Sequence, residues 1–277
     1  MRDAVPIAIL LLAASASSFA QLRPETSQAF DRYVQRAERR IQQEQASPAS
    51  FLFIDRLPEA KRAEAERRLR SGEVLIQSSG GAELPHGLVH DWIGIAFIPG
   101  ATVQQTLALV QDYDHLSRYY SPRVQSSRLL AHSGDDFRLA MRLREHKVIV
   151  VMLDTEYQVH YGRLDGGHWF SESRSTRVDE IANPGATDEH PQPPADQHGF
   201  LWRLNSYWRF AQAPDGVFIQ CEAISLTRDI PAGLGWLVKP FVQSIPRESL
   251  QFTLQATRKT VLENSSHIAR SEHDHDD

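Results

Sequence analysis

"LWRLNSYWRFAQAPDGVFIQCEAISLTRDI" (Leu201–Ile230) decides the fold. Its first half alternates Trp202, Leu204, Ser206, Trp208 and Phe210 with Arg203, Asn205, Tyr207 and Arg209, the period-two pattern of a half-buried strand. Its second half, "VFIQCEAISLTRDI", is a further strand, and "APDG" joins the two. Proline and aspartate suit a type I turn, and Gly216 suits a left-handed position after it, giving a three-residue loop with a bulge. In that register Ala213 pairs with Val217, and Trp208 faces Glu222. One sheet face then carries Trp202, Leu204, Ser206, Trp208, Phe210, Glu222, Ile224 and Leu226. The other carries Arg203, Asn205, Tyr207, Arg209, Ser225 and Thr227. The first face is larger and more apolar, so it should meet a helix. A two-residue loop would slip the register by one and exchange the faces of one strand relative to the other.

The helix follows at once in "GLGWLVKPFVQSIP" (Gly233–Pro246). Leu234, Leu237, Val238, Phe241, Val242 and Ile245 recur at helical steps, yet Pro240 and Pro246 each delete a backbone donor. One expectation is a gate over a cavity, with Ser244 capping a second helix, Pro246 in its first turn, and Leu234, Phe241 and Ile245 touching a ligand. The alternative is two rigid helices joined at a proline.

Upstream, the pattern predicts helices over 24–46 and 57–70, a short strand "EVLIQ", a loop "GGAELPHG" and a strand "LVHDWIGIAFIP". Thr102 should cap the helical "VQQTLALVQDYDHLSRYY". After Pro122 come "RVQSSRLLAH", "DFRLAMRLR", "KVIVVMLDTEYQVHY" and "HWFSESRSTRVDEI", all strands, and then a loop from Asn183 to Gly199. The order is strand, helices, about six antiparallel strands and one long C-terminal helix.

That element order from about Val89 to Leu262 resembles the START-like superfamily, also called the polyketide cyclase/dehydrase and lipid-transport (SRPBCC) superfamily. "LALVQDYDHLSRYYSPRVQSSRLL" (107–130) is similar to its opening helix, aromatic-proline turn and strand. "LWRLNSYWRF…IQCEAISLTRDIPAGLGWLVKPFVQSIPRESL" is similar to secreted bacterial members. The resemblance covers roughly two-thirds of the chain. It implies an α+β helix-grip fold, a curved antiparallel sheet wrapped around a long C-terminal helix, with a hydrophobic cavity between them and extra N-terminal helices. The domain reading is a signal peptide over 1–20, an N-terminal helical extension over 21–72, the START-like domain over 73–263, and a disordered polar tail over 264–277.

The expected ligand-binding residues are Trp202, Ser206, Trp208, Phe210, Glu222, Ile224, Leu234, Phe241 and Ile245. Glu222 stands in an apolar neighbourhood, and a buried carboxylate must be paired, hydrogen-bonded or protonated. Arg174 and Arg247 are the candidate partners. The function expected is a binding or carrier protein for a lipid, quinone or polyketide-like molecule. The alternative is a cyclase or dehydratase using Glu222 as acid or base, to be abandoned if Glu222 lies on the outer face. A third reading has Phe30, Val34 and Ile41 of the N-terminal helices docking a partner or packing on the chain's own sheet.

Other motifs exclude more than they suggest. "EHDHDD" (272–277) is acidic and His-rich but sits in a terminal tail, so neither a metal site nor a cofactor is expected. His90 and Asp91 are strand neighbours and point to opposite faces. No G-x-S-x-G, P-loop or H-E-x-x-H occurs. With 30 basic and 35 acidic residues and a formal charge of −5, a nucleic-acid partner is not expected. The partners that remain are an apolar small molecule and, transiently, a membrane surface. Arg2, the apolar run Val5–Ala14 and "SASSFAQ" form a secretory signal by pattern, with cleavage after Ala20. Export to the periplasm or medium is expected, and the single cysteine, Cys221, leaves no internal disulfide.

Overall fold

The computed structural model describes residues 21–146, 150–229 and 235–273, with side chains throughout except at His146, 235–243 and 266–273. The signal sequence and Leu234 lie outside the described residues, as does the side chain of Phe241.

Helix α1 (Pro24–Gln45) is followed by two 3-10 turns, Pro48–Ser50 and Phe53–Arg56, and by α2 (Glu59–Arg70). Strands β1 (Leu75–Leu84) and β2 (Gly87–Pro99) form a hairpin. The stretch "GGAELPHG", expected to be a loop, instead carries the end of β1 and the turn, with His86 in a left-handed conformation at φ 60°. Short helices α3 (Val103–Val110) and α4 (Leu116–Tyr119) come next, then β3 (Val124–Ser133), β4 (Asp136–His146), β5 (Val150–Arg163), β6 (His168–Ala182), the two-residue β7 (His190–Pro191), β8 (Arg203–Ala213) and β9 (Gly216–Arg228). Helix α5 runs from Gly235 to His273. It is continuous through Pro240 and Pro246, so the break expected there is not made. It also continues through ten residues of the stretch expected to be a disordered tail.

The sheet is antiparallel in the order β1-β2-β9-β8-β6-β5-β4-β3, with β7 attached to β6. One face packs on α3, α4 and α5 through Ala96, Ile98, Leu107, Tyr113, Tyr120, Phe137, Tyr157, Phe210, Ile219, Leu250 and Leu254. This is the α+β helix-grip architecture. Helix α5 lies over β2, where Gly94 lets it settle: a Cβ at Gly94 would stand 2.6 Å from Leu254 Cδ1 and 3.3 Å from Leu250 Cδ2.

The other face is covered as well. Phe30, Val34, Ala37 and Ile41, the stripe of α1, pack on Val89, Trp202, Tyr207, Ile224 and Leu226. Phe51–Ile54 and Leu69 pack on Ile93, Ile95, Phe97, Ala211 and Phe218. The N-terminal helices therefore pack on the chain's own sheet, the second of the two arrangements open from the sequence.

The β8–β9 hairpin departs from the expected register. Ala213 pairs with Gly216, Trp208 with Cys221 and Tyr207 with Glu222, so the loop has two residues. The local turn preference loses to a third strand. Gly216 is also paired with Pro99 of β2, Gly100 N donates to Asp215 O at 2.9 Å, and a Cβ at Gly216 would collide with the Ile98 carbonyl. Gly216 is thus held in the ladder on both sides and is not available for the loop.

Candidate functional site: a hollow on the concave sheet face

The slip leaves the β8 reading intact and inverts β9. Leu204, Ser206, Trp208 and Phe210 face α5 together with Val217, Ile219, Cys221, Ala223 and Ser225. Registers across the sheet then define rows of neighbours on this concave face. One row is Gly94, Cys221, Trp208, Ser171 and Tyr161. The next is Trp92, Ala223, Ser206, Ser173 and Val159. A third holds His90, Ser225, Leu204, Ser175 and Tyr157, where Leu204 N donates to Ser175 Oγ at 2.9 Å.

On either side of Trp208, Ser206 and Leu204, which sit at the centres of these rows, are cysteine, alanine and serine, positions that a sheet gripping a helix would ordinarily fill with Val, Ile or Leu. Side chains this small cover little of the β8 residues between them. Accordingly Leu204, Ser206 and Trp208 of β8, a strand in the middle of the sheet, are only half-buried, as are Ala223 and Trp92. The hollow is edged by the stacked pair Trp208–Phe210, with ring centroids 5.8 Å apart at 4°, and by Trp169, Tyr161 and Tyr157. The row beyond, Ala96, Ile219, Phe210 and Trp169, closes one end.

The polar groups of the hollow are neutral. Tyr161 and Tyr113 share a hydrogen bond between hydroxyls at 2.9 Å, and Tyr120 pairs with Thr257 of α5, also at 2.9 Å. The Trp169 indole N–H is buried with no hydrogen-bond partner, and the Tyr157 hydroxyl is buried with only the Thr155 side chain beside it. Burial pushes the Tyr157 phenol up to about 12, so it keeps its proton. Burial also lowers the His90 pKa, which favours the neutral imidazole. Charged groups on this face sit at its ends: Glu180 accepts from the backbone N–H groups of His198 and Phe200 at 2.7 and 3.0 Å, and Glu145 pairs with Arg123 at 2.8 Å. Burial raises the Cys221 thiol well above its ordinary value, so this lone cysteine is an inert wall.

The expected site residues divide accordingly. Ser206, Trp208 and Phe210 are in the hollow, and Ile245 is half-buried on α5. Trp202, Glu222 and Ile224 are on the opposite, convex face beneath α1. Glu222 is 1% exposed and is paired by Arg40 of α1, a partner missed because α1 was read as lying outside the domain. Arg174 instead joins Glu38 at 2.7 Å and Glu172 at 3.0 Å. Arg247 is exposed and lines a separate cleft of about 360 Å³ with Phe53, Leu57, Lys61, Arg68 and Leu75. Glu222 therefore cannot act on anything in the hollow, and its role as acid or base falls.

Around Glu222 the convex face buries an ionic layer. Arg209, 1% exposed, donates to Glu44 at 2.8 Å and to the Phe51 carbonyl at 2.6 Å. Gln220 Oε1 accepts from Phe53 N at 2.7 Å. Tyr33 donates to Asp91 Oδ2 at 2.8 Å. Burial first, and the charge of Glu222 second, raise the Asp91 carboxyl to about 7. Perturbed carboxylates often mark active sites, but this pair is covered by α1 and faces no cavity. Among the described residues no three metal-ligating side chains converge, and no helix is long and apolar enough to cross a membrane.

Solved structures share the arrangement at low identity. TTHA0849 from Thermus thermophilus is 18% identical, with a TM-score of 0.46, over 62% of this chain and 97% of its own. A STAR-related lipid transfer protein from Xanthomonas axonopodis is 17% identical, with a TM-score of 0.46, over 69% of this chain and 98% of its own. The Zhui aromatase/cyclase from a Streptomyces species is 7% identical, with a TM-score of 0.45, over 62% and 93%. No family model and no curated protein matches the sequence.

Proposed function

We propose that this START-like, helix-grip chain is an exported carrier that holds a hydrophobic small molecule between the concave sheet face and α5. The observation that carries the reading is the small side chains that flank β8 on that face, Cys221, Ala223 and Ser225 on one side and Ser171, Ser173 and Ser175 on the other, beside Leu204 and Trp208 that stay half-buried in mid-sheet. A lipid, a quinone or a polyketide-like compound has the required apolar surface. Burying about 250 Å² of it at roughly 25 cal/mol/Å² contributes about 6 kcal/mol, which ordering costs reduce to micromolar binding.

The test is uptake. Native mass spectrometry of the purified protein, before and after organic extraction, should reveal a releasable apolar molecule. The extracted protein should then bind 1,6-diphenylhexatriene, and Ser206→Leu combined with Ser173→Leu should abolish that binding by filling the hollow. A protein that carries nothing and takes up no probe refutes the reading. Export rests on the sequence of residues 1–20, and a mature N-terminus other than Gln21 would refute it.

A further inference from the structure

The chemistry of the ligand is written in what the hollow lacks. Across its three central rows, from β2 to β5, every side chain is uncharged: Gly, Cys, Ala, Val, Leu, Ser, Trp and Tyr, with a His90 that burial keeps neutral. The same strands carry Asp91, Glu172, Arg174, Arg209 and Glu222, but all of these point to the convex side. A carboxylate or phosphate lying on this floor would meet no cation from it. An unpaired ion out of water carries a penalty that a neutral oxygen on the same chain does not.

The floor is not purely apolar either. The Trp169 N–H is buried with no hydrogen-bond partner, and the hydroxyl of Tyr157, 4% exposed, has only the Thr155 side chain beside it. Leaving such a donor unmet is costly, so buried donors are normally satisfied. Beside them, Ser173 of β6 and Ser206 of β8 stand directly opposite each other on the floor. An uncharged ligand with a carbonyl or hydroxyl oxygen supplies the acceptor these groups lack and needs no cation.

Resting on the carrier reading, we infer that the ligand is a neutral oxygen-bearing apolar molecule, such as a ketone, ester or alcohol, whose oxygen lies over Tyr157, Ser173 and Ser206 of β5, β6 and β8. The hydroxyls donate, the rings of Trp208 and Phe210 flank the apolar body, and fatty acids and anionic lipid head groups are excluded.

Two probes with the same polyene chain, one anionic and one neutral, test this: cis-parinaric acid and its methyl ester, titrated at pH 8 into the delipidated full chain. The ester should bind at least about tenfold tighter than the acid. Tyr157→Phe and Ser173→Ala/Ser206→Ala should weaken the ester several-fold more than they weaken 1,6-diphenylhexatriene, and leave the melting temperature within a few degrees. Equal or tighter binding of the acid overturns the inference while leaving the carrier reading standing. Ester affinity unmoved in both variants overturns the assignment to these hydroxyls. Failure of the ester and of diphenylhexatriene alike sinks the carrier reading itself.

Discussion

Asp91→Asn is the sharpest perturbation of the ionic layer beneath α1. Asp91 is 2% exposed, its Oδ2 accepts from Tyr33, and it shares a side-chain hydrogen bond with Glu222. The groups facing it are Tyr33 and Arg40 of α1 and Glu222 of β9. Its carboxyl is raised from 3.8 to about 7, by burial first and by Glu222 second. For an acid this sign means that the folded chain holds the proton where the unfolded chain has released it. The stabilising contribution is complete below about pH 4, is lost as pH rises toward 7, and is flat above. At 1.36 kcal/mol per tenfold change in proton affinity the loss reaches about 4 kcal/mol. Asparagine cannot ionise, so it removes the penalty. Relative to wild type, Asp91→Asn should be neutral or slightly destabilising at pH 4.5 and more stable by about 2–4 kcal/mol at pH 8. His90, whose lowered pKa gives stability that rises with pH toward 6.5, is present in both proteins and cancels in the difference. Urea unfolding followed by tryptophan fluorescence from pH 4.5 to 8.5 measures it. Parallel pH profiles for the two proteins would refute the buried, proton-holding Asp91.

Arg40→Met leaves Glu222 buried without its cation and should cost about 3–5 kcal/mol, with much of the loss recovered in the Arg40→Met/Glu222→Gln double variant; equilibrium unfolding of the three proteins checks this. Gly94→Val drives a side chain into Leu254 and Leu250 and should lower stability by about 1–3 kcal/mol while raising off-rates for diphenylhexatriene, as α5 is lifted from β2. Pro240 and Pro246 deprive the carbonyls of Trp236 and Val242 of their helical partners, so amides from Leu237 to Ile245 should exchange faster than those from Leu254 to Leu262, and bound ester should slow them. Equal protection of both halves with and without ester would leave α5 as a rigid cover.

The fold was legible because each strand carries its own two-sided pattern. On β8 the alternation of Trp208 and Phe210 with Tyr207 and Arg209 reports its two faces without help from any neighbour. The pairing of β8 with β9 was not legible. It is decided by Pro99 and Ile98 of β2, more than a hundred residues upstream, which hold Gly216 in the ladder against its local turn preference. One residue of slip moved Glu222 and Ile224 from cavity to convex face. Arg40 was hidden for a related reason: nothing local to "RAERRIQQ" shows that its stripe returns to the sheet at Glu222, whereas Arg174 and Arg247 stood within the recognisable domain. The serines of "HWFSESRSTR" did carry a signal. Ser171, Ser173 and Ser175 alternate with Glu172 and Arg174, so one face of β6 is small and neutral. Only the register with β5 and β8 shows that this face is the floor of the hollow.

The two faces of the sheet are linked by this division of charge. Arg209, Gln220 and Glu222 all point to the convex side, and each takes its partner from the N-terminal segment: Glu44 and the Phe51 carbonyl, the Phe53 amide, and Arg40. A chain cut at residue 73 would bare Ile93, Phe97, Phe218 and Ile224 and take from those three polar groups the partners the N-terminal segment supplies. Each buried group so orphaned costs about 1–3 kcal/mol, and more where it is charged, against a typical total stability of about 5–15 kcal/mol. The N-terminal helices are therefore part of the folding unit. By satisfying the buried charges of β8 and β9 on one side, they allow the middle of the other side to be built from uncharged side chains, and that neutral side is the one proposed to take a ligand.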